Sequence, residues 1–476
     1  MNGLWYFLGC VVLLIAGYAI YGALAERVFG ADAHRPTPVQ SKADGMDYVK
    51  LPGWKIFFIQ LLNIAGLGPV FGPIVGALYG PAALLWVVFG CIFAGAVHDY
   101  VSGMISLRYG GASYPEVIGR NLGSGVRKFM EGYTVLFLIL VGAVFVTGPA
   151  AILASMTPYS LLFWSAVIFV YYICATILPI DVIIGRIYPF FAALLLFMAV
   201  GLVGALLFQG YDILPGIEPA KFLASTHPKG LPIWPGLFIV IACGAISGFH
   251  ATQSPMMARC MSNEKHGRHI FYGSMIAEGI IGLIWVTLGL SFYQSPEALA
   301  AAGPAPVVVK NISIELLGKF GGILAVLGVV ILPVSTGDTA FRSARMLLAD
   351  TFKLDQHPVR NRIMLAIPLF AVGIALTLVD FNVIWRYFGW ANQTMACVAL
   401  WACSVYLARR GRCHWITTLP AIFMTVVVTS FICNAKIGLG LDMNISTYAG
   451  IGLAALLFII FMFKGHSMPG GPEGDC

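Results

Sequence analysis

The run Asn63-Ile-Ala-Gly-Leu-Gly-Pro-Val-Phe-Gly-Pro73 sits in the middle of an apolar stretch, 56–79, that is otherwise long enough to cross a bilayer as one helix. Between Gly66 and Pro73 it holds three glycines and two prolines. Each interior proline removes a helical hydrogen bond and clashes with the preceding turn, at about 3 kcal/mol. Peptide groups left unpaired in hydrocarbon cost several kcal/mol more. The stretch therefore predicts a broken helix whose bare backbone is buried in protein or faces a polar cavity.

A second apolar stretch, 234–258, carries a matching interruption at Gly244-Ala-Ile-Ser-Gly-Phe-His-Ala-Thr-Gln-Ser-Pro255. An offset of 180 pairs Phe58 with Phe238, Ile59 with Ile239, Ala65 with Ala245 and Gly68 with Gly248. Corresponding broken helices in two halves of a chain point to a transporter site at the midplane. Half-helix N-termini there present free N–H groups to an anion, and unwound carbonyls can hold a cation. The competing reading is that the glycines only let helices approach closely.

Outward from the two breaks, the chain is apolar nearly throughout. Of its 476 residues 59% are hydrophobic and 10% charged, against about 25% charged in soluble chains. Apolar runs near bilayer length fall at 4–24, 56–79, 83–107, 126–151, 160–179, 187–209, 234–258, 269–293, 321–341, 363–380, 384–407, 414–433 and 446–463. The fold class read from them is an all-α integral membrane protein of about thirteen transmembrane helices. The first run has no basic residue before it and no small-residue cleavage site after it, so it reads as a retained span. Each break opens a set of five spans, and five is odd, so the second set enters from the opposite side. The expected organisation is an accessory span (1–25), a first five-helix repeat (56–209), a second, inverted repeat (234–407), two accessory spans (414–463) and a short tail (464–476).

Charge placement supports this count. With the N-terminus outside, only Lys221, Lys229, Lys310, Lys319, Arg386 and Lys436 of the 28 Lys and Arg lie outside, and 22 lie inside. The net charge of +7 is thus a topology signal, and no nucleic-acid partner is expected. The ten cysteines include no CxxC pair, which argues against a disulfide framework or zinc site. No HExxH, GxSxG or phosphate-loop pattern supports an enzyme.

Ionisable residues inside spans cost about 2.5–3.5 kcal/mol each to insert, so each poses a functional question. His98 and Asp99 lie together in the third span; being about 100° apart on a helix, they need not pair. His250 lies in the second break, Glu278 in the eighth span and Asp338 near the inner end of the ninth. All five fall between the midplane and the cytoplasmic third. The carboxylates fit proton relays or buried structural pairs, such as Asp338 with Arg342. His250 reads as functional and His98 as structural. The hydroxyls of Ser335, Thr336 and Thr339 suit a sodium ion.

At these residues the chain resembles the carbon starvation protein A (CstA) family of bacterial transporters. The resemblance rests on Ala65-Gly-Leu-Gly-Pro-Val-Phe-Gly-Pro73, Ala94-Gly-Ala-Val-His-Asp99, Gly244-Ala-Ile-Ser-Gly-Phe-His250 and the Glu278 region, and continues more weakly from Ser335 to Asp350. The family is placed with the amino acid–polyamine–cation transporters, whose LeuT-like 5+5 inverted repeat agrees with the one read above. The resemblance implies uptake of peptides or pyruvate driven by a cation gradient, usually protons. It carries over Gly66, Gly68, Gly248 and His250 as motif residues, with His98, Asp99, Glu278 and Asp338 in less defined roles. The chain ends soon after its last span, as a short variant of the family.

The expectation is a secondary transporter importing a small carboxylate-bearing nutrient by proton symport. Gly66, Gly68, Ser247, Gly248 and His250 would bind substrate. His98, Asp99, Glu278, Ser335, Thr336 and Asp338 would couple it to the cation. The alternatives are sodium coupling, or a channel or uniporter for small anions. No cofactor is expected beyond the coupling ion. The partners are a small-molecule substrate and the lipid of a bacterial inner membrane, with the N-terminus outside and the C-terminus cytoplasmic. The sequence does not define an oligomeric state.

Overall fold

The computed structural model describes residues 3–43, 48–177, 180–218, 222–356 and 358–465, apart from the side chains of 176–189 and 382. Lys221, positions 466–476 of the expected tail and the side chain of Arg186 lie outside what is described. The described residues form helices and connections, with no strand among them. The order begins with α1 (Gly3–Phe29), the bent pair α2 (Gly53–Ile64) and α3 (Gly68–Ala77), and α4 (Ala82–Arg108). It continues through α5 (Tyr114–Leu122), α6 (Ser124–Met156), α7 (Leu161–Ile177) and α8 (Ile180–Phe208). Next come α9 (Gly236–Val240), α10 (Gly248–Cys260), α11 (Glu264–Tyr293) and α12 (Pro296–Ala301). The chain closes with α13 (Ala305–Phe352), α14 (Val359–Thr377), α15 (Phe381–Arg409), α16 (Trp415–Asn434) and α17 (Met443–Lys464). Among the described residues nine helices are long and apolar enough to cross a membrane, and α2 with α3, bent by 51°, makes a tenth candidate.

Both breaks exist, but each is displaced from its predicted bounds. The first occupies only residues 65–67, not Gly66–Pro73. Pro69 stands in the first turn of α3, where its missing N–H has no helical partner to lose, and Pro73 is carried inside the helix. The second occupies 241–247 rather than Gly244–Pro255, with Gly244 at φ +90° and Pro255 inside α10. His250 therefore rides on the first turn of α10 rather than on unwound chain. The helices after the breaks begin at Gly68 and Gly248, the two positions that the offset of 180 aligns.

Glycines bring the broken elements together. Gly68, Gly72 and Gly76 form one face of α3 and lie directly on the second break: a Cβ at Gly72 would stand 2.8 Å from the Val240 carbonyl oxygen. Gly95 of α4 is pressed against the Ala245 carbonyl, and Gly282 of α11 lies against Gly244. Gly248 abuts the backbone of α15 at Asn392 and Ala396. A Cβ at Gly68, Gly72, Gly76, Gly95 or Gly248 would come within 3 Å of a neighbouring atom, so these five glycines permit the close approach of the elements, whereas at Gly282 a Cβ would make only ordinary contacts.

The connection between the expected spans at 269–293 and 321–341 contains α12 and the first third of α13. Val308, Val309, Ile312 and Leu316 are buried at helical spacing, and Gly318 (φ +67°) then turns the chain into the spanning part of α13. At the opposite end of the bundle, Arg108 grips Glu264 through two hydrogen bonds of 2.9 and 3.0 Å. Its guanidinium also reaches the Gly30 carbonyl at 2.8 Å and covers the Phe29 ring at 4.2 Å, which ties α1 to α4 and α11.

Candidate functional site

Where the two breaks cross, three elements converge on one buried set of ionisable groups. The Asp99 carboxylate of α4 turns one oxygen to each of two imidazoles: Oδ1 lies 2.7 Å from His98 Nδ1, and Oδ2 lies 2.7 Å from His250 Nδ1 of α10. The adjacent pair His98–Asp99, which the sequence leaves uncommitted, is thus joined, because a carboxylate can serve two donors at once. His250 Nε2 then faces Glu278 Oε2 of α11 at 3.3 Å, outside good hydrogen-bond geometry. All four side chains are fully buried. The stretch of α4 just before them, Trp86–Gly95, is π-helical, a distortion that recurs near functional positions.

The proton inventory of this set follows from its contacts. With Asp99 ionised, both imidazoles donate from Nδ1, and His250 Nε2 is left as a lone pair or a second N–H. A lone pair opposite a bare Glu278 carboxylate is repulsive in a dry site, so one proton must reside on the His250–Glu278 pair. That proton can sit on either partner. Cys243 Sγ completes the surroundings: one donor atom each from Cys243, His250 and Glu278 lie within 4.8 Å of one another, a spacing that could hold a divalent cation.

Neighbouring helices reach carbonyls of α9 and of the unwound segment after it. Trp86 Nε1 donates to the Ile241 carbonyl at 2.9 Å, and Gln393 Nε2 donates to the Phe238 carbonyl at 2.9 Å. Asn392 Oδ1 accepts from the Phe249 N–H at 2.8 Å, and its Nδ2 donates to Ser247 Oγ at 3.0 Å. Asn392 thus caps α10 from another helix. Asn392, Gln393, Trp86 and Cys243 were not singled out by the sequence. The adjacent amides Asn392-Gln393 inside an apolar run were a usable signal that a search for charges passes over.

The remaining predicted residues divide. Ser247 and Gly248 lie at the cap of α10 beside the cluster. Gly66 packs on Phe145 and Gly68 on Cys243, so in this conformation both face side chains rather than open space. Asp338 stands apart, 3.7 Å from Arg342 Nη2, and no hydrogen bond or ion pair among the described residues joins it to the cluster. The Ser335 and Thr339 hydroxyls donate back to their own helix, to the Leu332 and Thr336 carbonyls. Thr336 reaches across to the Leu62 carbonyl at the end of α2, at 3.1 Å.

The proteins that this helical membrane bundle resembles are transporters, not enzymes. The family model for carbon starvation protein CstA matches residues 2–158, 146–295 and 290–431, and the chain belongs to that family. An uncharacterized membrane protein of Haemophilus influenzae is 47% identical over 348 residues, 63% of this chain and 94% of its own. The peptide transporter CstA of Bacillus subtilis is 27% identical over 84% of each chain. The pyruvate/proton symporter BtsT of Escherichia coli is 28% identical over 60% of this chain and 48% of its own. Among solved structures, the nucleobase-cation-symport-1 family transporter Mhp1 in a closed, bromovinylhydantoin-bound conformation shares the fold. The TM-score is 0.55 at 15% identity, over 93% of this chain and 97% of that one. The apolar helices and these relatives point to the bacterial inner membrane.

Proposed function

We propose that the chain is a proton-coupled symporter that imports a small carboxylate-bearing nutrient, pyruvate or a short peptide. One observation carries this reading: the buried Asp99–His250–Glu278 array, whose middle member is mounted on a half-helix that starts at a break. A substrate carboxylate approaching the α10 N-terminus would meet Ser247, Gly248 and His250. Drawing the shared proton onto His250 favours that anion, and returning it to Glu278 releases it. His98 holds the far oxygen of Asp99 and positions the carboxylate. Each ligand drives the cycle only by preferring one state.

The same reading assigns thirteen crossings, with α1 before, α16 and α17 after, and two inverted sets of five between, over 56–209 and 234–407. The N-terminus is outside and the C-terminus cytoplasmic, because the basic loops gather at one end. Gly66 and Gly68 serve the site by permitting the crossing, and Asp338 with Arg342 forms a second, separate candidate for coupling.

The test is uptake into proteoliposomes under an imposed pH or sodium gradient, with pyruvate and dipeptides competing at two external pH values. Uptake indifferent to both gradients ends the symport proposal. An unchanged affinity and rate in His250→Ala ends the assignment of His250. Sodium coupling is the second reading, favoured by Thr336 Oγ1 on the Leu62 carbonyl, where a helix end and a hydroxyl already share one point. Counterflow exchange separates either symporter from a channel or uniporter, which needs no alternating access.

A further inference from the structure

The contact between His250 and Glu278 is a poor hydrogen bond and a good ligand edge. Glu278 Oε2 faces His250 Nε2 at 3.3 Å, yet neither that nitrogen nor either oxygen of Glu278 makes a hydrogen bond of ordinary geometry. Both side chains are fully buried, where an unmade hydrogen bond to an ionisable group is costly. Bonds of about 2.0–2.1 Å from a tetrahedral zinc ion to a nitrogen and an oxygen place those two atoms about 3.3–3.4 Å apart. The observed separation fits an ion between the two groups better than it fits a shared hydrogen bond.

Cys243, in the second break, supplies a third ligand. One donor atom each from Cys243, His250 and Glu278 lie within 4.8 Å of one another. A zinc–thiolate bond of about 2.3 Å sets an edge of roughly 3.6 Å, so an inward shift of about 1.2 Å at the most closes the set. The thiol is lightly held: Sγ donates to Ser247 Oγ at 3.4 Å, and Asn392 Nδ2 stands 3.9 Å away. Gly68 of α3 leaves the room in which it sits, since a Cβ there would overlap Sγ. The neighbouring thiol of Cys91 is engaged elsewhere, donating to the Met275 carbonyl at 3.3 Å.

His250 is also oriented as a metal ligand is. Its other ring nitrogen, Nδ1, lies 2.7 Å from Asp99 Oδ2, and Asp99 Oδ1 lies 2.7 Å from His98 Nδ1. A carboxylate behind one imidazole nitrogen fixes the tautomer that leaves the lone pair on the other, here toward Glu278, and raises its basicity. The charges balance as well. A dication that binds here displaces the thiol proton and the proton held between His250 and Glu278, leaving a thiolate, a neutral imidazole and a carboxylate. Two protons leave for two positive charges, so the buried charge is unchanged. One sulfur, one imidazole nitrogen and one carboxylate select a borderline-soft ion over magnesium or calcium, which take oxygen ligands.

We propose that Cys243, His250 and Glu278 form a binding site for a transition-metal dication of the zinc class, with Asp99 and His98 as positioning residues behind His250. The ion joins the second break, α10 and α11, and pins them in this arrangement. No CxxC pair announces the site, because its three ligands come from three elements. The proposal goes beyond the symport reading and does not depend on what the transporter carries.

The test is Co2+ titration of the full chain purified in detergent, because tetrahedral Co2+ bound to a thiolate shows a sulfur-to-metal charge-transfer band. One equivalent should bring up the band, Zn2+ should remove it by displacement, and Mg2+ should not. Cys243→Ser should abolish the band, Glu278→Gln should weaken binding, and Asp99→Asn should weaken it about 10- to 100-fold. Cys91→Ser should keep wild-type binding. Zn2+ should raise the Tm of the wild type and of Cys91→Ser but not of Cys243→Ser. If Cys243→Ser does not fold, Cys243→Ala carries the comparison. A wild-type chain that shows no band overturns the site, and so does a band of undiminished affinity in the Cys243 variants, which would place the ion on exposed thiols such as Cys174 or Cys413. Vesicles that carry neither pyruvate nor dipeptides end the symport reading, whereas loss of the site is read from metal binding alone.

Discussion

Replacing Gly248 by alanine tests whether the second broken helix works by close contact or by substrate contact at that position. The added Cβ would stand 2.5 Å from Met395 Cβ, with the Asn392 carbonyl oxygen and the Ala396 nitrogen nearer still. Two of these three atoms are backbone of α15, so no rotamer change relieves the clash. Contacts of a real Cβ seldom fall below 3.4 Å, and α15 must therefore retreat by about 1.0 Å or α10 must tilt. Overpacking of this kind costs about 1–3 kcal/mol. The retreat also stretches the Asn392 cap on Phe249 N–H, now 2.8 Å, which adds part of a cap worth about 0.5–2 kcal/mol. If the contact exists in only one transport state, about 1–3 kcal/mol shifts the balance between states by roughly 5- to 150-fold. The assay is initial-rate uptake per reconstituted protein together with the melting temperature in detergent. Gly452→Ala is the control, since nothing lies within 4 Å of the Cβ it adds. The expected outcome is a fall in maximal uptake of about tenfold or more and a lowered Tm, with the control unchanged. Full uptake and an unshifted Tm in Gly248→Ala would refute the packing argument. A raised KM alone would make Gly248 a substrate contact instead.

Asn392→Ala removes the cap of α10 and leaves Ser247 and the Phe249 N–H without it, so a loss of about 1–2 kcal/mol should appear in denaturant or thermal unfolding. Breaking the buried Arg108–Glu264 pair by Glu264→Gln should destabilise by about 3–5 kcal/mol, and Arg108→Met combined with Glu264→Met should recover much of it in the same melt. Thr336→Val should abolish any sodium dependence of uptake if the ion sits between Thr336 and the Leu62 carbonyl. If the hydroxyl only packs helices, the substitution costs about 1 kcal/mol of stability and leaves ion dependence unchanged. Asp99→Asn should slow proton-driven uptake more than exchange, since it disrupts the array that holds the shared proton and leaves the helix start in place; equal slowing of both would count against a coupling role.

Much of the bundle was legible because a bilayer leaves few options. Length and apolarity mark a span directly, and Pro and Gly in mid-span mark a break. The exact bounds of the breaks were less legible. A proline in the first turn of a helix costs little, so Pro69 begins α3 where the pattern alone reads it as part of the interruption. The helix over 305–317 was missed although Val308, Val309, Ile312 and Leu316 keep helical spacing, because the reading looked for membrane-length runs.

The sequence by itself determined the membrane class, the two breaks and which ionisable residues are buried at a cost. It could not say which of those residues meet. Asp99 lies on α4, far along the chain from His250 and Glu278 on the consecutive helices α10 and α11, and only tertiary packing turns the three toward one another. The same packing sends Asp338 to Arg342 instead, and recruits Asn392 and Cys243, whose local sequence carries no charge to mark them. The reason is general: hydrophobic periodicity is a local property of the chain, whereas the cost of a buried charge is settled by whichever partners the folded bundle brings within about 3 Å.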